Sequence, residues 1–155
     1  MDRRKFIEYS VKAIALASLP MMNFFPKVNM SEDKKKLPWS SKTFRFPLKN
    51  FELQSGETLN NPFLLVDVNG ELNPSKSNAI IFATCFAGSH KFNQLAYGID
   101  RALNPLKYCI ITPNLFCSGH SSSPSNTDHP QDGPRFPSVT YYDNVNAQNK
   151  LISEY

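Results

Sequence analysis

Hydrophobic and polar positions between Ala79 and Asp143 follow an order that is typical of a sheet with parallel strands. An apolar run, Ala79–Cys85, is followed by a short turn, a segment of helical length and a second apolar run, Tyr108–Pro113. Strand, turn, helix and strand in this order predict a βαβ unit. Because both runs are apolar at nearly every position, we expect two buried strands with helices over both faces of the sheet.

The segment before this unit predicts an antiparallel hairpin. Phe44–Gln54 alternates in part between apolar and polar residues, Ser55–Glu57 is a turn signal, and Pro62–Asn69 is a further strand pattern. Pro47 interrupts the first of these strands, and a proline is tolerated mainly at the edge of a sheet because it has no N–H to donate. We therefore expect the hairpin at the sheet edge.

The connector between the two apolar runs is predicted to be helical over residues 92–104. Its apolar residues recur at helical spacing at Leu95, Ile99 and Leu103. Gly98 weakens this prediction by about 1 kcal/mol relative to alanine, and Pro105 predicts the end of the helix.

A second helix is predicted to begin at Thr140, after the long Ser-, Pro- and Asn-rich loop Asn114–Pro137. Thr140 and Asp143 have capping-box spacing, in which each side chain bonds the backbone N–H of the other residue. One face of this helix is predicted to carry Val145, Gln148, Ile152 and Tyr155. The expected fold class is therefore α/β, with an edge hairpin followed by a βαβα arrangement.

Charge is distributed unevenly along the 155 residues, a length that suffices for one domain with a core. Residues 1–49 hold 11 Lys and Arg against 4 Asp and Glu, a net charge of +7. Residues 50–155 hold 6 against 9, a net charge of −3. The excess of basic residues thus belongs to the first 49 residues, the leader of the chain. This argues against a nucleic-acid-binding surface on the folded part.

The beginning of the chain resembles a twin-arginine export signal. An Arg-Arg pair at positions 3 and 4 is followed by Lys-Phe-Ile and then by a mildly apolar segment, Val11–Phe25. We expect residues 1–25 to be a signal segment of a periplasmic or exported protein; the alternative is a basic amphipathic helix of a cytoplasmic protein. Residues 26–43 are polar and charged and are predicted to be a linker before a domain of residues 44–155.

The three cysteines form no C-x-x-C pair, and the histidines show no ligand spacing with them, which argues against zinc. Cys85 and Cys109 lie inside apolar runs and are expected to be buried free thiols.

Two polar segments are candidates for chemistry. Gly119–Ser123 nearly matches the nucleophile elbow G-x-S-x-G, but Ser123 replaces the last glycine and a loop follows instead of a helix. We therefore favour Ser121 as part of a pocket-lining loop over Ser121 as a nucleophile. Cys85–His90 follows the first apolar strand, where a backbone N–H could stabilise an oxyanion, although every βα turn has free N–H groups. His90 could act as a general base, but a lone histidine in a turn is more often a surface residue.

Longer motifs in the chain are similar to those of a known family. They are SGETL at positions 55–59, GELN and KSNAI on the approach to the first apolar strand, PN after the second, and the loop PNLFCSGHSSSPSNT with DGPRFPSVTYYDNVNAQNKLI behind it. From Phe44 to Tyr155 the chain resembles the homoserine O-acetyltransferase-like branch of the α/β-hydrolase fold. The resemblance implies an enzyme that transfers acyl groups or hydrolyses esters of small molecules with a Ser-His-Asp triad, without a metal or organic cofactor and without a nucleic-acid partner.

By this resemblance the family's oxyanion turn falls on Thr84–Gly88, and the backbone N–H of Phe86 is the donor. The substrate pocket would include Ala87, Gly88, Asn114, Ser121 and Ser122. At four consecutive positions the acetyltransferases carry a small residue, then Leu, then Thr or Ser, and then Gly. This chain has Cys-Phe-Ala-Gly at these positions, residues 85–88. The acetyltransferases also carry an arginine where this chain has Tyr142. Both departures argue against homoserine as the substrate.

The resemblance also places the elbow serine and the triad aspartate and histidine beyond Tyr155. We therefore expect this chain to be the amino-terminal part of the enzyme, truncated before the nucleophile elbow and inactive alone. The strand Ala79–Cys85 would then be an open, apolar sheet edge. The alternative function is an exported, non-catalytic binding module that pairs through this edge with a complementing chain or a second copy. A downstream reading frame that encodes a strand and a G-x-S-x-G elbow would favour the enzyme.

Overall fold

The computed structural model describes residues 37–155. The predicted signal segment, residues 1–25, and most of the predicted linker lie outside the described residues. The folded part begins before residue 44, because the first strand starts at Ser41 and Trp39 Nε1 donates a hydrogen bond to Asn69 Oδ1 at 3.1 Å. In the part that is described, no helix is long and apolar enough to cross a membrane.

A four-stranded mixed sheet and a separate two-stranded hairpin make up the β structure of residues 37–155. Their strands are β1 Ser41–Pro47, β2 Phe51–Glu52, β3 Thr58–Leu59, β4 Phe63–Asn69, β5 Ala79–Ile81 and β6 Cys109–Pro113. The large sheet has the order β1-β4-β6-β5. β1 pairs antiparallel with β4, β4 pairs antiparallel with β6, and β5 pairs parallel with β6. The predicted edge hairpin is confirmed, and β2 and β3 form a small hairpin within its connection.

The core lies where β4 and β6 meet the last helix, α2, which spans Tyr141–Glu154. β6 is buried at every position, as its continuous apolar run predicts. The buried apolar side chains of the core include Phe51, Leu59, Leu64, Val66, Ile111, Phe116, Ala147 and Leu151. Phe51 and Phe116 are tilted against each other with ring centroids 5.8 Å apart, which joins the small hairpin to the loop after β6.

β5 is shorter and less buried than its sequence predicts. Its ladder with β6 ends at Ile81, although the N–H of Phe82 still donates to the Ile111 carbonyl at 2.9 Å. Ala79 is exposed and the two isoleucines are only partly buried. β5 is partly exposed because it is the outer strand of the described sheet and has a neighbouring strand on one side only.

The helix predicted for residues 92–104 is wrong over most of its length. A short helix, α1, spans His90–Asn93 and continues as a 3₁₀ turn over Gln94–Ala96. Leu95, at the predicted apolar spacing, is 68% exposed. Polar side chains decide the path instead: Gln94 donates to Asp67 Oδ2 at 3.0 Å, and the Tyr97 hydroxyl lies 2.6 Å from Thr112 Oγ1. These bonds to β4 and β6 hold the connector against the sheet in a non-helical form.

α2 and its capping box are confirmed. Asp143 Oδ2 accepts from the Thr140 N–H at 2.7 Å, and Thr140 Oγ1 accepts from the Asp143 N–H at 3.3 Å. The face predicted from Val145, Gln148 and Ile152 is not the buried one, since Val145 is 61% exposed. The helix instead turns Asp143, Asn144, Ala147 and Leu151 toward the core.

The outer edge of β5 should make the isolated domain associate. It carries no charged residue and no proline, the devices that usually prevent pairing between exposed strands. We expect residues 37–155 to elute as oligomers in size-exclusion chromatography with light scattering. Replacing the exposed Ala79 by lysine should raise the monomer fraction, whereas Lys76→Gln, in the loop before β5, should not. A monomer that melts sharply and cooperatively without any substitution would contradict this prediction.

Candidate functional site

A tight turn, the 84–88 turn, follows β5 at the carboxyl end of the parallel strands. The Gly88 N–H donates to the Cys85 carbonyl at 3.0 Å, and Ala87 has a φ of 60°. A positive φ at the third of four residues, with a negative φ before it, is the geometry of a type II turn. At Gly88 an added Cβ would lie 2.5 Å from Cys85 Sγ, so a larger residue there would require the Cys85 side chain to move.

The 84–88 turn presents an unused donor. The Phe86 N–H makes no hydrogen bond to any residue of the range 37–155, and the Phe86 side chain is 82% exposed. A non-glycine residue at positive φ, such as the adjacent Ala87, is uncommon and costs about 1–2 kcal/mol. A strained turn at a strand end that leaves a backbone N–H without a partner is suited to stabilise an oxyanion.

Two asparagines fix the segments on either side of the 84–88 turn. Asn93 Nδ2 donates to the carbonyls of Phe82 and Ala83 at 2.9 and 3.1 Å. Asn114 Oδ1 accepts from the His90 N–H at 3.0 Å. The strand before the turn and the helix after it are therefore both held by side-chain amides, which leaves little freedom for the turn between them.

Asn114 lies at the carboxyl end of β6 and is fully buried. Besides His90, it bonds the Leu65 carbonyl twice, through its backbone N–H at 2.9 Å and through Nδ2 at 2.8 Å. Its side chain is thus occupied by β4 and α1. Asn114 therefore fixes the backbone of α1 and β4 relative to each other, and its place in the substrate pocket stays a prediction.

His90 is buried, so its interpretation as a surface residue is wrong. Its Nδ1 lies 3.3 Å from Asn114 Oδ1, and its ring makes an edge contact with the His120 ring at a centroid distance of 5.9 Å. Burial follows from the long-range bond between its backbone N–H and Asn114, which the sequence around His90 does not reveal.

Ser121 is fully buried and lines neither of the two cavities at the 84–88 turn, so its place in the substrate pocket stays a prediction. Its hydroxyl donates to the Asn114 carbonyl at 2.7 Å and accepts from the Leu65 N–H at 3.0 Å. Ser122 is also buried, and its Oγ accepts from the Phe63 N–H at 2.9 Å. Both serines fasten the loop to β4, and this backbone role, rather than nucleophilic chemistry, explains the polar pattern around them.

Cavities border the 84–88 turn on two sides. One has a volume of about 250 Å³ and is lined by residues 85–89 and Phe92, so it includes Ala87 and Gly88. The other has a volume of about 270 Å³, is mainly apolar, and reaches from Phe86 to Val139 and Tyr141 at the beginning of α2. Phe86 lines both cavities. The sequence pattern does not single out Val139 or Tyr141; the capping box at Thr140 marks their position in the chain but not the cavity that they share with Phe86.

The cysteine thiols of β6 and of the 84–88 turn differ in exposure. Cys109 is buried in β6, and burial raises the pKa of its thiol, partly offset by the charge of Lys42. Cys85 is exposed, which corrects the expectation that it is buried, because β5 ends before it. In residues 37–155 no three His, Cys, Asp or Glu side chains are arranged to hold a metal ion.

The described residues combine an N–H donor that has no partner among them, that of Phe86, with an apolar cavity that Phe86 also lines. No serine or cysteine side chain within them hydrogen-bonds a histidine ring, because the ring of His90 contacts Asn114 and the hydroxyl of Ser121 contacts backbone. The arrangement can stabilise negative charge on a bound carbonyl oxygen, but it does not by itself generate a nucleophile.

Solved structures define the class of this fold. The acetyl esterase MekB superposes with a TM-score of 0.71 at 39% sequence identity, over 74% of this chain and 33% of the esterase. The sheet of residues 37–155, with its edge hairpin followed by β5 and β6, is the amino-terminal part of an α/β-hydrolase sheet. The predicted fold class is confirmed.

Similar proteins with named activities identify the family within the α/β-hydrolase fold. The ethyl acetate hydrolase of Pseudomonas veronii is 44% identical over 104 residues, which are 66% of this chain and 30% of that enzyme. The homoserine O-acetyltransferase of Methanosarcina acetivorans is 34% identical over 120 residues, 66% of this chain and 22% of that enzyme. No protein-family model matches the chain. This chain belongs to the α/β-hydrolase family that contains these esterases and homoserine O-acetyltransferases, and it spans about a third of the length of the relatives it matches.

Proposed function

We propose that residues 44–155 form the oxyanion side of an active site that cleaves small esters. One observation carries the proposal: the strained 84–88 turn leaves the Phe86 N–H without a partner among residues 37–155, at the end of β5. In the tetrahedral intermediate of ester cleavage the carbonyl oxygen becomes negative, and a fixed N–H in a water-poor site stabilises that charge. The nucleophile, base and acid come from the rest of the family's fold.

Hydrolysis is favoured over transfer to homoserine. The esterase relative is 44% identical to this chain and the acetyltransferase relative 34%. Phe86 and Tyr141 present aromatic side chains to the apolar cavity of about 270 Å³. Such a cavity suits a short acyl or alkyl group better than the charged ends of an amino acid. The proposed chemistry needs no metal and no organic cofactor.

A segment exchange with the hydrolase of Pseudomonas veronii tests this function. Residues 37–155 of this chain, which include all of β1, would replace the corresponding segment of that enzyme, giving a chimera that carries the relative's own nucleophile. We expect the chimera to hydrolyse ethyl acetate, because the exchanged part supplies the turn and cavity to which we assign oxyanion stabilisation. A chimera that folds but shows no turnover above that of its nucleophile-serine variant would overturn the proposal.

The purified chain alone should not hydrolyse a short-chain p-nitrophenyl ester above the buffer rate, because its candidate serine is buried. The measurement is repeated with a serine-directed covalent inhibitor and with Ser121→Ala. Turnover that the inhibitor blocks and that Ser121→Ala removes would show a nucleophile within these residues, contrary to the structure around Ser121.

A second candidate function, a binding module that pairs through the β5 edge, rests on the exposure of that strand. Two measurements distinguish this binding module from the enzyme: the oligomeric state described for β5 and the activity of the chimera. If Ala79→Lys abolishes the oligomers and the chimera is inactive, the binding module is favoured. An active chimera favours the enzyme.

A further inference from the structure

A third cavity lies apart from the 84–88 turn and shares no residue with the two cavities there. It has a volume of about 350 Å³ and is formed by β1, the beginning of β4 and the loop after Ser121. Its lining is mostly polar and includes Arg45, Asn61, Phe63, Ser122, Thr127 and Asp128. Nothing in the proposed ester cleavage uses this cavity.

Within the described part of the chain, Arg45 is the one Lys or Arg side chain that lines this cavity, whose lining also includes His129. Its guanidinium carbon lies 4.4 Å from the centroid of the Phe63 ring, which is a cation–π contact. Within residues 37–155 it forms no ion pair with Asp128 or with any other acidic side chain. A guanidinium that is stacked on a ring but not hydrogen-bonded keeps its planar fork of N–H groups free for a carboxylate.

Two hydroxyl groups add donors to the same cavity. Thr127 Oγ1 is the one buried side-chain polar atom without a hydrogen-bond partner among the residues described. Ser122 Oγ accepts from the Phe63 N–H, which leaves its own proton available to an acceptor. Buried hydroxyls without partners are unfavourable, so a ligand oxygen that pairs with Thr127 after a small shift would be stabilised.

The wall of the cavity is fixed by side-chain amides. Gln131 Oε1 accepts from the Asn60 N–H at 2.8 Å, and its Nε2 donates to the Thr58 carbonyl at 2.7 Å. Asn126 Nδ2 donates to the Ser121 carbonyl at 3.0 Å. A cavity held in this way loses little freedom when a ligand enters.

We propose that this cavity binds a small 2-hydroxycarboxylate. The carboxylate pairs with the guanidinium fork of Arg45, and the hydroxyls of Ser122 and Thr127 donate to its remaining oxygens. Asp128 lines the same cavity and would repel a simple anion, but it accepts a hydrogen bond from the hydroxyl of a hydroxy acid. This combination selects a hydroxy acid over an anion that has no hydroxyl.

Ligand-observed saturation-transfer NMR on the purified full chain tests this proposal, since the method tolerates oligomers. Lactate is the probe, lactamide its neutral counterpart and propionate the counterpart without the hydroxyl. We expect a signal from lactate, a weaker one from propionate and none from lactamide. Arg45→Gln should weaken lactate binding about tenfold, through loss of a charge-assisted bidentate pair.

Lys49→Gln is the matched control, because it removes a nearby charge outside the cavity. Arg45→Lys keeps the charge but loses the planar fork, so its affinity should lie between those of the original chain and Arg45→Gln. The far-ultraviolet circular dichroism of all variants should match. Equal signals from lactate and lactamide, or lactate binding that Arg45→Gln leaves unchanged, would overturn the proposal. These outcomes are independent of ester hydrolysis.

Discussion

Replacing Phe86 by proline in the chimera is expected to lower kcat for ethyl acetate by about 10²–10³-fold, the usual cost of removing one oxyanion-hole donor. Proline has no backbone N–H, so the substitution deletes the proposed donor. Phe86 is the second residue of a type II turn, a position that proline favours. The turn should therefore keep its shape, including the Gly88 bond to the Cys85 carbonyl.

Phe86→Ala is the matched control for this experiment. It removes the same aromatic ring from the two cavities but keeps the backbone N–H. We expect Phe86→Ala to change mainly KM, through lost apolar contact, and Phe86→Pro to lower kcat as well. Equal kcat values for the two variants would show that the Phe86 N–H does not contribute to catalysis.

Replacing Asp143 by alanine is expected to lower the free energy of unfolding by about 2–4 kcal/mol. The carboxylate is fully buried and accepts from the N–H groups of Gln54 and Thr140, each at 2.7 Å, and from the Thr140 hydroxyl at 2.8 Å. Removing it leaves two backbone donors without their partner. Urea denaturation on the Ala79→Lys background, where association is reduced, measures the loss.

The same carboxylate should make stability depend on pH. Burial acts to raise the pKa of Asp143, but the hydrogen bonds from Thr140 and Gln54 outweigh it and lower the pKa below its usual value. The folded protein therefore binds this proton less readily than the unfolded chain. The contribution of Asp143 is present above the unfolded pKa, about 3.9, and is lost as the pH falls through the lower folded pKa.

Urea midpoints of the original chain and of Asp143→Asn, taken between pH 7 and pH 2.5, check this expectation. The difference between the two should shrink as the pH falls below about 4. Asp100→Asn, at an exposed loop position, is the control and should show no such convergence. A difference that stays constant across this range would contradict the role of the charged form.

The sequence predicts those parts of the fold whose signals are local. The continuous apolar run of β6 and the capping box at Thr140 and Asp143 are examples, because strand burial and helix capping depend on residues within a few positions of one another. The motifs shared with the family predict the arrangement of the whole sheet as well. The helix predicted for residues 92–104 fails because bonds from Gln94 and Tyr97 to distant strands override a helical apolar spacing.

The candidate site shows the same division. The position of the 84–88 turn is predictable, since the turn directly follows an apolar strand. The positions of His90 and Ser121 are not, because each is set by a bond to Asn114, 24 and 7 residues away respectively. A histidine or a serine in a polar segment has the same local pattern whether its side chain is buried or exposed.

Asn114 also connects the loop after β6 to the helix that follows the 84–88 turn. It bonds α1 after the 84–88 turn through His90, and its own carbonyl accepts from Ser121 in the loop. A change of loop sequence that shifts Ser121 therefore moves the anchor of the turn as well. The packing of the loop and the position of the 84–88 turn therefore cannot vary independently, and this coupling extends beyond Ser122, because Asn126 Nδ2 donates to the Ser121 carbonyl.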